Sequence, residues 1–175
     1  MLTIRLRYLL KMNARDLEAA RRTSVIRLLH ELSGHTVDVV MARLRAKGHG
    51  QVGMAHAMLL RNLDYSGTSL TTLAARANVT KQAITRIARE LNERGYVRVT
   101  LDAGDRRAKI VTFSAKGDSL IADAMAIGQE IERDYAAIVG KRAVEQMRST
   151  LQKLVPAFRA ARARERQRVA RQSSS

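Results

Sequence analysis

The chain has 175 residues, and its 32 Lys plus Arg against 16 Asp plus Glu leave a formal charge of +16, with a pI near 11.3. Such a surplus favours a polyanionic partner, nucleic acid before an anionic membrane surface, and the length suits one domain or one tightly joined pair with a sizeable core. The absence of cysteine excludes a disulfide framework, a thiolate zinc site and a cysteine redox switch, and agrees with a reducing, cytoplasmic setting.

Residues 1–12, MLTIRLRYLLKM, are interrupted by Arg5, Arg7 and Lys11, so neither a signal peptide nor a transmembrane helix fits, and no membrane partner is expected. Two readings stand for this arm: a short amphipathic extension, or a frayed tail preceding a natural start at Met12. From Asn13 to Lys47 apolar residues return at Leu17, Val25, Leu28, Leu29, Leu32, Val39, Val40 and Leu44, the stripe of one long helix. Gly34 interrupts it, and a mid-helix glycine costs about 1 kcal/mol against alanine, so a kink or break is expected near Ser33 to Thr36. Gly48 to Gly50 marks a loop. Met54, Ala57, Met58 and Leu63 then give a second helix before a turn at Tyr65 to Thr68.

Residues 51–117 hold the densest pattern. Leu70 to Asn78 reads as a short amphipathic helix with Ser69 as N-cap and with Leu73 and Ala77 on its buried side. Asn78 tolerates the left-handed backbone of a tight turn, and Thr80 is placed to cap the next helix. In Val79 to Gly95, the apolar Val79, Ala83, Ile84, Ile87 and Leu91 recur at helical spacing. Lys81, Gln82, Thr85, Arg86 and Arg89 take the opposite face, joined by Thr80 at its start, as a set of phosphate-seeking and base-reading side chains. The bland alternative is a solvated face laced by Arg86–Glu90 and Arg89–Glu93 pairs. Small Ala74, turn residue Asn78 and apolar Val79, Ile84 and Ile87 have the spacing of a helix-turn-helix, which favours DNA.

Gly95 ends that helix, and Tyr96 to Leu101 and Lys109 to Phe113 alternate as two strands of a hairpin. Its tip, Asp102 to Arg107, projects Arg106 and Arg107 toward a narrow minor groove, with Lys109 behind them and Asp105 orienting a neighbouring arginine. A polar hairpin tip without DNA contact is the plainer alternative.

Beyond the hairpin, Leu120, Ile121, Met125, Ile127, Ile131, Tyr135 and Ile138 make a helical stripe too wide for one exposed face. After Gly140, Val144, Met147, Leu151, Leu154 and Val155 continue as a last helix, which Pro156 is expected to end or kink. Apolar stripes over 13–47 and 118–157 imply burial against a partner, read as a homodimer interface. Residues 158–175 are a basic tail, with Arg159, Arg162, Arg164, Arg166, Arg168 and Arg171 against Glu165. It is a solvated, disordered tail on one reading and a DNA-clinging extension on the other.

His30 and His35, and His49 and His56, are spaced wrongly for a helical metal pair and read as structural. The seven methionines read as core filler. No phosphate loop or nucleophile constellation is present, so no enzyme and no cofactor are expected.

The stretch LTTLAARANVTKQAITRIARELNERGYV followed by DAGDRRAKIVTFSAKG resembles the MarR (multiple-antibiotic-resistance regulator) family of winged helix-turn-helix transcription factors. The resemblance is specific over roughly 52–121. It departs at Ala103 where proline is usual, at Val99 where an arginine is common, and at Phe113-Ser114 where Leu-Thr is usual. It implies a mainly α fold with a small β-hairpin wing, the terminal helices interleaving in a dimer. It also implies a repressor that covers a promoter and releases a palindromic double-stranded operator when a small-molecule effector enters a cleft lined by parts of the first, second and fifth helices. Against a sequence-specific dimeric regulator stand a basic architectural or nucleoid protein with little base preference, and an anionic-membrane or ribosomal adaptor using its basic ends.

Overall fold

In a computed structural model, residues 14–101 and 108–172 are described. The arm 1–12 and the wing tip with Asp105, Arg106 and Arg107 lie outside the described residues, as do the side chains of Arg162, Arg166, Arg168 and Arg171. The chain is mainly helical, divided into units 1–127 and 128–175.

The first unit opens with α1, Ala14–Arg22, and α2, Val25–Leu44. The long helix expected here is therefore broken at Thr23–Ser24, whereas Gly34 lies inside α2. Local chemistry explains the shift. The Thr23 hydroxyl donates back to Ala19 O at 3.2 Å, and Ser24 adopts an extended conformation at the N-cap of α2, both of which divert the backbone from the helical ladder. At Gly34 the helix continues, and the Thr36 hydroxyl donates to Leu32 O at 2.6 Å across it. A π-helical turn, Arg45–His49, follows α2, and then α3, Met54–Leu60. The buried side of α3 is His56, Leu59 and Leu60, with Leu63 beyond its end, while Met54 is exposed rather than core.

The next helices are α4, Leu70–Ala77, and α5, Lys81–Glu93. Ser69 Oγ accepts from Thr72 N at 3.1 Å and Thr80 Oγ1 from Ala83 N at 3.1 Å, so each N-cap satisfies a donor that the helix cannot. Between them Asn78 is left-handed, with φ 57° and ψ 46°. Val79 N donates to Ala74 O at 3.1 Å, a Schellman-type closure that turns the chain into α5. Leu73 and Ala74, rather than Ala77, are buried from α4, against Ile84, Ile87, Ala88 and Leu91 of α5.

A sheet of three antiparallel strands carries the wing: β1, Thr68–Ser69; β2, Val97–Leu101; and β3, Lys109–Phe113, in the order β1-β3-β2. The turn expected at Tyr65 to Thr68 thus runs into a strand two residues long, too short to show alternation. Gly67 is what lets it pair. Its φ is +91°, and a Cβ there would fall 2.9 Å from the methyls of Ile110 and Thr112, closer than real side chains approach.

Helix α6, Ala115–Val139, begins in the first unit. Its Gly117 is buried beneath Tyr96, so that a Cβ would collide with the Tyr96 carbonyl oxygen. In the second unit the remainder of α6 turns at Gly140, φ +85°, into α7, Lys141–Gln172. Arg148 Nη2 pairs with Glu132 at 2.8 Å, and Ile131 and Val144 are buried. Pro156 does not end α7, which runs on through the basic segment to Gln172. The flanking run is rich in Leu, Ala, Gln and Arg, good helix formers, and the Gln152 carbonyl that Pro156 deprives of a donor is on an exposed residue and meets water.

Gly117→Ala forces backbone against backbone. It is expected to cost about 2–3 kcal/mol, lowering the melting temperature by roughly 4–12 °C, whereas Gly34→Ala, with open space around its Cβ, raises it slightly. Thermal denaturation of the two variants checks this.

Candidate nucleic-acid interface

The buried side chains of α5, Ile84, Ile87, Ala88 and Leu91, set which way the rest of the helix points. At 100° per residue, Lys81, Gln82, Thr85, Arg86 and Arg89 occupy an arc of about 140° opposite them, and all five are exposed, as is Thr80. Burial of one stripe therefore presents the other as a continuous polar face. Two of the six also serve the helix itself: Thr80 caps it, and Thr85 Oγ1 donates back to Lys81 O at 2.6 Å.

The two helix-surface pairs considered above are present but long. Arg86 Nε stands 3.9 Å from Glu90 Oε1 and Arg89 Nε 3.8 Å from Glu93 Oε1, beyond hydrogen-bond range on mostly exposed side chains, so each contributes little. Both guanidiniums keep their capacity for a phosphate or a guanine edge. Lys109 is exposed at the head of β3, opposite Leu101 in register, and thus borders the wing tip. Arg98 is exposed on β2, a further cation on the wing that the strand alternation marks as outward.

Sequence reasoning missed the groups that hold this surface in place. Tyr96, first residue after the α5 turn, is wholly buried. Its hydroxyl lies 3.2 Å from His49 Nδ1, and His49 Nε2 lies 3.1 Å from Asp123 Oδ2. Lys47 Nζ pairs with the other Asp123 oxygen at 2.9 Å, and Lys116 Nζ stands 4.4 Å above the Tyr96 ring. Burial pushes the Tyr96 hydroxyl above its ordinary pKa, so it keeps its proton. Hydrogen bonds from Lys47 and His49 hold the Asp123 carboxyl below its ordinary value.

A second histidine works on the far side of α5. His56 Nδ1 accepts from Gly53 N–H at 2.9 Å, and its Nε2 lies 3.0 Å from Glu90 Oε2. The hydrogen bond from His56 keeps the Glu90 carboxyl below its usual range. Both histidines are therefore structural, each tying elements more than thirty residues apart. Among the described residues no group of three or more His, Cys, Asp or Glu is placed to hold a metal, and no helix is long and apolar enough to cross a membrane.

Because Asp123 is more acidic in the folded chain, its contribution is complete above the unfolded carboxylate pKa and is lost as pH falls through the depressed folded value. Asp123→Asn should therefore be less stable than wild type at pH 7, with the gap closing below about pH 4. Denaturant melts across that range measure it.

Residues 51–108 match the MarR family. Transcriptional regulator HosA of Escherichia coli O127:H6 is 26% identical over 97 residues, covering 55% of this chain and 70% of that protein. Among solved structures, a MarR-family transcriptional regulator from Rhodococcus sp. RHA1 superposes with a TM-score of 0.59 at 27% identity, covering 74% of this chain and 91% of its own. CouR from Rhodococcus jostii RHA1, bound to p-coumaroyl-CoA, does so with 0.58 at 27% identity, covering 76% and 92%.

Proposed function

We propose that the chain, whose residues 51–108 match the MarR family of winged helix-turn-helix regulators, is a sequence-specific, dimeric DNA-binding repressor rather than an enzyme. The observation that carries this reading is the outward face of α5: six exposed polar and cationic side chains, with the acids nearest Arg86 and Arg89 held at 3.9 and 3.8 Å, beyond hydrogen-bond range. In this role Lys81, Gln82, Thr85, Arg86 and Arg89 enter a major groove, with Thr80 at the helix mouth. Arg106, Arg107 and Lys109 of the wing meet the flanking minor groove and backbone, and Asp105 orients an arginine at the tip. Residues 51–117 would be the DNA-binding part.

Dimerisation is supported by apolar side chains that the single chain leaves in water. Ile26 is 81% exposed in α2, beside Val25, Leu28 and Leu29, and Phe158 is 70% exposed in α7, beside Leu154 and Val155. Stripes of this kind on 13–47 and 118–157 fit coverage by a second copy, as in an isologous pair. Two recognition helices then read a palindromic operator with half-sites about 34 Å apart. CouR carries p-coumaroyl-CoA in its structure, which supports release of DNA by a small-molecule effector here. Such an effector acts only through unequal affinity for the DNA-competent and DNA-incompetent arrangements. The workplace is the cytoplasm, where the operator is.

Selection of duplexes from a random pool by the purified protein should return a palindrome. Retention of scrambled duplex as tightly as the selected one would instead favour a basic architectural protein. Against the selected operator, Arg86→Ala is expected to cost about 1–3 kcal/mol and relax preference at one base position, whereas Arg107→Ala weakens all sequences alike and lowers the salt slope by roughly one. Titrations at several salt concentrations separate the two. Ile26→Glu combined with Phe158→Glu should convert the dimer to a monomer in sedimentation, with loss of operator binding at low protein concentration.

A further inference from the structure

We propose that His56, which touches no DNA in the reading above and on which this inference builds, is a positioning residue for recognition: it holds the Glu90 carboxylate back from the DNA-facing arc of α5. Glu90 lies four residues after Arg86, at the spacing where a carboxylate and a guanidinium meet on a helix surface. A free carboxylate there does two things against binding. It completes a charge-assisted bond with Arg86, and it repels phosphates.

The geometry shows how this is prevented. Gly53 N–H donates to His56 Nδ1 at 2.9 Å, which requires a lone pair on Nδ1 and so leaves the ring proton of a neutral imidazole on Nε2. Glu90 Oε2 lies 3.0 Å from that nitrogen and only accepts, so the proton goes to it; Arg94 Nη1 also stands 3.1 Å from Nε2, over the edge of the ring. His56 itself is nearly buried, and Arg94, whose Nη1 donates to Gln51 O at 2.6 Å, sets a positive charge beside the same carboxylate. Glu90 is thereby drawn toward α3, and its other oxygen is left 3.9 Å from Arg86 Nε, too far to satisfy that guanidinium. One hydrogen bond between α3 and α5 thus keeps a reading arginine unspent.

The test is a double-variant cycle in the full chain, with the operator selected from the random pool at one fixed salt concentration. His56→Ala should weaken operator binding about three- to fivefold, the effect of one competing exposed ion pair. Glu90→Gln removes the competing charge and should bind slightly more tightly than wild type. The double variant should bind within twofold of Glu90→Gln even where its melting temperature stays below wild type, since restored affinity without restored stability is the mark of positioning. A double variant as weak as His56→Ala alone, or a His56→Ala chain that binds like wild type, overturns the proposal. Failure of the wild-type chain to prefer any selected duplex is a different result and overturns the functional reading instead.

Discussion

The outward face of α5 and the root of the wing are held by the seat of Tyr96. Its amide donates to Leu91 O at 2.9 Å, closing the end of α5, and its carbonyl accepts from Ser114 N at 3.2 Å, at the junction of β3 and α6. Gly117 lies against that carbonyl so closely that no larger residue fits. The hydroxyl reaches His49 of the π-helical turn, and His49 reaches Asp123 of α6. One buried residue therefore fixes the end of α5, the root of the wing and the start of α6. Asp123 Oδ2 only accepts, so His49 Nε2 donates to it, and in a neutral imidazole Nδ1 is then the acceptor for the Tyr96 hydroxyl. A displacement of Asp123 reaches the residue that closes α5 through two hydrogen bonds, and one of Lys47 through three contacts.

The helix-turn-helix was legible because its determinants are local. Ser69, Asn78 and Thr80 act on backbone groups within a few residues of themselves, and the apolar period of Val79 to Leu91 needs only the helix repeat. Elsewhere, propensity misled in both directions. Gly34 and Pro156 are formally helix breakers, but α2 and α7 pass through them: glycine keeps its backbone donor, and Pro156 stands among good helix formers on an exposed stretch. The actual break comes at Thr23–Ser24, where Ser24 is extended at the N-cap of α2 and the Thr23 hydroxyl bonds back to Ala19 O, a pair with no strong sequence mark.

What stayed illegible is long-range. His49 and His56 looked like solitary structural histidines, and nothing in their spacing names Tyr96, Asp123 or Glu90, which lie 47, 74 and 34 residues away. Strand β1 escaped notice for a related reason. Two residues hold no alternation, and only the register of Thr68 with Val111 and Ser69 with Ile110 makes them a strand. A pattern of hydrophobicity reveals which side of a helix is inside; it does not name the polar partner waiting there.

The same distinction governs the charge of the molecule. A surplus of +16 predicts attraction to a polyanion but not where on the surface it acts. Where the acids go decides that. Asp123 is taken by Lys47 and His49, Asp64 by Arg76 at 2.7 Å, and Glu90 by His56. These partners stand close, whereas the pairs left on the outer face of α5 are stretched to 3.8 and 3.9 Å. A stretched, solvated pair is worth a few tenths of a kcal/mol up to about 1, less than a charge-assisted bond to phosphate together with the counterions that it releases. In the proposed role Arg86 and Arg89 would exchange carboxylate for phosphate, and the cationic character of this helix comes as much from where its acids are engaged as from the number of its bases.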